Sequence, residues 1–222
     1  MATLYNPAVV KDNLVLCLDA ANTRSYPGSG TTWSDLSGNS RNATITGAVS
    51  YTSGNAAYFS GFGNGTYISL SNSGLVPRTN DFTYSCWIYF NAVDSTDTIF
   101  ENGSWPDCLL FRYETNLFTV YAENALRGNI SWTAVTGAWQ NIVLVRSSNT
   151  VSCYINNVLT GTPFTMNLDI DLANTNLFLM RSQHASDQQT NGRLSTFSIY
   201  NTALTTSQIT QNFNALRGRY GI

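Results

Sequence analysis

The sequence predicts an all-β antiparallel sandwich with one short C-terminal helix, and three observations carry that prediction. Side chains alternate with a period of two in segment after segment. Clusters of Gly, Pro, Asn and Ser cut the chain into about a dozen short strands, as in sandwiches and barrels. A single stretch near the C-terminus has helical periodicity.

The first strands expected are Leu14–Asp19, Ala43–Thr46, 57–60 and 67–70. Turn-forming clusters surround them at Tyr26-Pro27-Gly28-Ser29-Gly30, Ser37-Gly38-Asn39 and Gly61 to Gly65. No helix follows the last cluster, so it reads as a hairpin or bulge loop and not as a phosphate cradle. Phe82–Phe90 has the cleanest alternation. Phe82, Tyr84, Cys86, Ile88 and Phe90 share one face and are the core candidates; Thr83, Ser85, Trp87 and Tyr89 share the other. Strands follow at 98–101, 109–114 and 117–121, with Asn102-Gly103 read as a turn. Residues 139–146 are apolar on both faces at their centre, which places this strand inside a sheet. Residues 151–155 and 158–162 flank Asn156-Asn157, which reads as a two-residue primed hairpin turn because Asn tolerates positive φ. Strands at 177–180 and 193–200 complete the set. Thr205 and Gln208 form a capping box, Ile209, Phe213 and Leu216 an apolar stripe, and Arg217 with Gly218 the expected helix end.

The 222 residues suit one domain, 1–222. Charged residues make up 11% against a usual share of roughly 25%. With a formal net charge of -2 and one lysine, Lys11, the chain has no basic run to track phosphates, so no nucleic-acid partner is expected. No run approaches the roughly 20 apolar residues of a membrane span. Residues 1–10 hold neither a charged leader nor an apolar run, so no secretory signal is expected. Cys17, Cys86, Cys108 and Cys153 read as small buried hydrophobes. With His184 the only histidine, a zinc site has no suitable ligand set.

Several segments together resemble laminin-G-like and pentraxin-like domains of the concanavalin-A-like jelly roll. Trp139 to Arg146 with Val151 to Gly161 is similar to that family's tryptophan strand and following hairpin. Gly192 to Leu204 with Thr205 to Ile209 is similar to its closing strand and terminal helix. Ala57 to Gly61 through Ile68 is similar to its early hairpin, and Phe82–Phe90 to its core strand. The opening, Leu14–Asp19 with Ser25 to Asn39, resembles versions found in tailed-bacteriophage virion proteins. The resemblance implies a lectin-like sandwich in a virion, assembled in the host cytoplasm. Family members often carry acidic residues where this chain has Ser60, Thr66, Ser195 and Thr196. A calcium ion needs about six to eight oxygens, usually including carboxylates, so neither a metal nor a cofactor is expected.

Glycan hydrolysis needs two carboxylates flanking the scissile bond. The three glutamates, Glu101, Glu114 and Glu123, form no pair at spacing two or four. Asp169 and Asp171 lie on one side of an extended segment but read as a solvated turn, and His184 as a solvated loop residue. No catalytic residue is therefore assigned. Sugars are held by aromatic faces and polar side chains on a rigid scaffold. Trp105, Asp107, Arg112, Tyr113 and Trp132 are the candidates for binding a carbohydrate or a partner. For Trp105 and Trp132 the alternative is a hydrophobic plug at a sandwich end, or a subunit contact. Trp33, Trp87 and Trp139 are read as core. Arg217, Arg219 and Tyr220 are candidates for anchoring a partner, the alternative being favourable charges at a helix end. Two functions follow. The first is a non-catalytic structural virion protein, a capsid decoration or fibre component, contacting other virion proteins or copies of itself. The second is a glycan-binding adhesin recognising host surface polysaccharide.

Overall fold

Alternation gives most strands two unlike faces, and the structure buries the more apolar ones by stacking two eight-stranded sheets. The computed structural model describes residues 8–71, 75, 81–170, 172, 176–183 and 188–222. His184 and Asp171 lie outside the described residues. In chain order the strands are β1 Leu14–Asp19, β2 Thr32–Trp33, β3 Ala43–Thr46, β4 Ser50–Thr52, β5 Tyr58–Ser60, β6 Tyr67–Ser71, β7 Phe82–Phe90, β8 Thr96–Ser104, β9 Asp107–Glu114, β10 Leu117–Ala122, β11 Ala125–Ser131, β12 Trp139–Ser147, β13 Thr150–Ile155, β14 Val158–Thr165, β15 Asn176–Leu179 and β16 Gly192–Tyr200. The helix α1 spans Thr206–Leu216.

The first sheet runs β14-β13-β12-β7-β16-β5-β4, with β1 also paired to β16. The second runs β11-β10-β9-β8-β15-β6-β3-β2. The doubly apolar strand β12 lies between β13 and β7, inside its sheet as its composition requires. Phe82, Tyr84, Cys86, Ile88 and Phe90 join the inter-sheet core, where the Tyr84 ring stacks on Phe100 of the other layer at 4.4 Å. All four cysteines are free thiols, and burial pushes Cys86 and Cys108 up to about 12. Cys86, Cys108 and Cys153 are buried as apolar filling, as expected, whereas Cys17 is only partly buried.

Four two-residue turns share one conformation. Thr115-Asn116, Glu123-Asn124, Ser148-Asn149 and Asn156-Asn157 all have both residues at positive φ, the twist that matches adjacent antiparallel strands. Only the last stood out in the sequence. The recurrent Asn in second place was the signal for the others.

Several expectations are corrected. The 57–68 segment is not a hairpin. β5 pairs with β4 and β16 in one sheet, whereas β6 pairs with β3 and β15 in the other. The loop between them crosses from layer to layer. Gly61, at φ 77, starts the crossing, and a side chain on Gly47 would collide with the carbonyl of Gly65. Asn102-Gly103 is not a turn either. Both residues lie within β8, and the buried Asn102 donates its Nδ2 to the Tyr84 hydroxyl at 2.9 Å. The reversal falls later, between Ser104 and Asp107. Strands β2, β4 and β11 were not expected. The first two are too short to show a period, and β11 has little apolar character to alternate.

The helix begins as its capping box requires. Gln208 donates its amide to Thr205 Oγ1 at 3.3 Å, and Gln208 Oε1 accepts from the Thr205 amide at 2.9 Å. It does not stop at Gly218. The chain continues as a 3-10 turn, Arg217–Arg219, and positive φ appears only at Gly221. That continuation brings Tyr220 onto Trp87 at 4.0 Å, with Phe213 on the same indole. Trp87 is therefore buried on the outer face of the first sheet, beneath the helix and tail.

Candidate functional site

The register of three strands builds a row on the outer face of the second sheet. Glu101 of β8 pairs with Leu110 of β9, and Leu110 pairs with Tyr121 of β10. Arg112, two residues beyond Leu110, points the same way, because side chains repeat every second residue. Trp105 comes from the β8–β9 turn, and Ser182 and Gln188 from the chain after β15. These residues line a pit of about 170 Å³.

Arg112 is held rigidly. Its Nε and Nη2 donate to Glu114 Oε2 at 3.0 and 2.8 Å, and its Nη1 to Gln188 Oε1 at 3.2 Å. The guanidinium lies over the Tyr121 ring at 4.5 Å. Thr119 and Tyr121 also direct their hydroxyls at Glu114 Oε2. At the floor, Glu101 is 1% exposed. Its Oε2 accepts from Ser182 Oγ at 2.7 Å and from the Gln183 amide at 2.8 Å. Its Oε1 is buried with no hydrogen-bond partner among the described residues.

Of the residues anticipated for binding, Trp105 and Arg112 meet in this pit. Asp107 is exposed at the start of β9 and does not line it. Tyr113, next in sequence to Arg112, faces the opposite side. It is 2% exposed, donates its hydroxyl to Asn116 Oδ1 and accepts from the Ala134 amide. Trp132 stacks on Phe118 at 4.7 Å and packs near Phe90 and Tyr113, so it covers the core edge and stands apart from Trp105. The tail candidates also separate. Arg217 is exposed, with its guanidinium over Phe213. Arg219 bonds Asp19 at 2.7 Å, and Tyr220 is buried with its hydroxyl donating to Ser195 Oγ at 2.8 Å.

Glu101, Tyr121, Ser182 and Gln188 were not anticipated. Tyr121 shares the period-two face of its strand. A glutamate directly after Ile99-Phe100 was itself a signal, since an unpaired glutamate is rarely buried. Ser182 and Gln188 reach the pit only through tertiary folding.

Two carboxylates near one pit raise the question of hydrolysis. Glu114 lies four residues along β9 from Leu110, the partner of Glu101. That is about 13 Å between backbone positions at the strand rise of about 3.3 Å, so the two carboxylates come from separate points of the sheet face. Glu114 Oε2 is also held by Arg112, Thr119 and Tyr121. Among the described residues, no cluster of His, Cys, Asp and Glu is arranged to hold a metal ion.

One carboxyl elsewhere is perturbed. Asp97, at the rim where 91–94 meets 189–192, is pushed up to about 6 by burial, against hydrogen bonds from the amides of Asp94 and Asn191. The folded chain therefore binds this proton more tightly than the unfolded chain. The resulting penalty is fully present above about pH 6 and fades as pH falls towards the ordinary carboxyl range. Relative to Asp97→Asn, the parent should gain up to about 3 kcal/mol between pH 7 and pH 4, at about 1.4 kcal/mol per unit. Urea unfolding of both proteins at the two pH values measures this; a constant difference would refute it.

A family model described as the concanavalin A-like lectin/glucanases superfamily matches residues 62–210. The chain belongs to this superfamily. This agrees with the laminin-G-like resemblance and with the two-layer architecture. Comparison with curated proteins gave no match. Among solved structures, this lectin/glucanase-superfamily chain is similar to Trypanosoma rangeli sialidase, at 15% identity and TM-score 0.69, over 96% of its own length and 34% of the sialidase chain. It is also similar to botulinum neurotoxin type C, which depends on interaction with two ganglioside molecules to enter cells. That match has 18% identity and TM-score 0.73, over 93% of this chain and 52% of the toxin chain. The binding domain of Paraclostridial Mosquitocidal Protein 1 matches at 18% identity and TM-score 0.69, over 92% and 52% of the two chains. The chain spans about a third to a half of these solved chains. At such identities the likeness establishes the fold alone.

Proposed function

We propose that this chain is a non-catalytic glycan-binding module whose site is the pit of Trp105, Arg112 and Tyr121. The observation that carries the reading is the pit itself: an aromatic wall and a fixed polar set on a rigid sheet face, sized for one sugar residue. The ganglioside-binding toxin of the same architecture supports it. Trp105→Ala should weaken glycan binding at least tenfold, about 1.4 kcal/mol, with little loss of stability. Trp132→Ala should do the reverse, since its ring is stacked on Phe118. Glycan-array screening followed by calorimetry on both variants measures this. Binding untouched by Trp105→Ala would remove the pit from the case.

A second reading is favoured by one feature. At the β13–β14 hairpin, Val158 and Leu159 are 64% and 50% exposed. Such an apolar tip suits seating on a neighbouring subunit, as expected of a capsid decoration or fibre component of a tailed-phage virion. Val158→Asp would then abolish self-association or particle binding in sedimentation experiments. A parent chain that stays monomeric and ignores phage particles would refute this role.

A further inference from the structure

The charges around the pit separate sugar classes, an inference that rests on the glycan-binding reading above. Arg112 is neutralised by its two bonds to Glu114, and its remaining face covers Tyr121. Glu101 is different. Its carboxyl is bonded to the neutral donors of Ser182 and Gln183, and among the described residues no cation bonds it. The other guanidinium groups in this region are committed to carbonyls. Arg181 donates to Ser182 and Asn64 and lies over Tyr67, while Arg127 donates to Ala122 and Glu123. Beside the floor, the buried Cys108 thiol is pushed up by burial first and then by the charges of Glu101, Glu123 and Asp107, so the field there is negative. Finally, Glu101 Oε1 has no donor among the described residues, and because it is buried a ligand must displace part of the pit wall to reach it. An unpaired buried acceptor costs about 1–3 kcal/mol, which a ligand donor recovers.

We infer that the pit takes a non-anionic sugar residue, one of whose hydroxyl or amide groups donates to Glu101 Oε1, and that it excludes sialic acid. A carboxylate ligand would meet Glu101 in a confined, weakly screened site and would find Arg112 already neutralised. A neutral hexose or N-acetylhexosamine supplies donors with no charge.

The test is an array of neutral, N-acetylhexosamine-terminated and sialic-acid-terminated oligosaccharides, probed with the parent chain, Trp105→Ala and Glu101→Gln. Glutamine keeps an oxygen for Ser182 and Gln183 but replaces the free acceptor by an NH₂. Neutral or N-acetylated glycans should bind the parent, sialylated ones should not, and Glu101→Gln should lose at least tenfold with an unchanged unfolding midpoint. Sialylated glycans bound by the parent and lost in Trp105→Ala would overturn the inference and leave the glycan-binding reading standing. That arm needs no change at Glu101. Equal binding by Glu101→Gln would overturn the role of the acceptor. Silence of the parent across all three classes would overturn both readings.

Discussion

Replacing Trp87 by alanine is expected to destabilise the chain by about 3–5 kcal/mol, the usual cost of emptying a buried tryptophan site. The indole is 1% exposed and lies beneath two aromatic rings, Tyr220 at 4.0 Å and Phe213 at 5.7 Å, both nearly parallel to it. Removing it deprives helix and tail of their main seat on the first sheet. The remaining tethers there include Arg219 to Asp19, Tyr220 to Ser195, Thr210 to Asn157, Asn212 to Tyr200 and the cluster around Ile209. The indole Nε1 is buried without an acceptor, so its loss offsets part of the damage. Trp87→Phe, which keeps a ring and removes that group, should therefore cost under about 1.5 kcal/mol. Urea unfolding compares the two variants, and limited proteolysis should release the C-terminal segment from Trp87→Ala alone. Equal stability of the alanine variant and the parent would show that the tail does not depend on this stack.

Gly128→Ala should cost about 1–3 kcal/mol through overpacking. Gly128 has no positive φ to protect; its Cβ would instead fall inside the ring of Phe164. Gly128 lies on β11 and Phe164 on β14, at the edges of different sheets. A second glycine repeats the device, because a side chain on Gly161 would press on Ile130. Small residues on each edge thus let the two layers close together along one side. Phe164→Ala should lose packing by itself, yet in the double variant the alanine at 128 should cost little. The coupling expected is about 0.5–3 kcal/mol, read from a double-mutant cycle by denaturant unfolding. Strict additivity would mean that these edges do not interlock.

Most strands were legible because large apolar side chains recur at every second residue on the face between the sheets. Phe82 to Phe90 shows that recurrence in nine residues, although its outer face is largely buried too, and the capping box of Thr205 and Gln208 marks the helix start as directly. β11 was not legible, since its half-exposed residues obey no period. The 57–68 segment misled for a related reason. Two strands joined by a glycine-rich loop look the same whether they pair or part into different layers, and only contacts with β16 and β15 distinguish the cases. The helix end misled because a tyrosine three residues past Arg217 had a tryptophan to reach.

The candidate site divides in the same way. Trp105 and Arg112 could be named from residue type. Tyr113 could be named too, but alternation turns it into the core beside Arg112. Glu101 and Tyr121 join the site because strand pairing sets both opposite Leu110. Ser182 and Gln188 join because the chain after β15 folds over that row. By itself the sequence determined which segments are strands, which faces are apolar and where the helix begins, since these follow from local periodicity and local hydrogen bonding. The tertiary structure alone decided which strands share a sheet, which tryptophan is seat, plug or wall, and which acid is left with an open oxygen. Those depend on pairing between residues far apart in the chain, which no local pattern encodes.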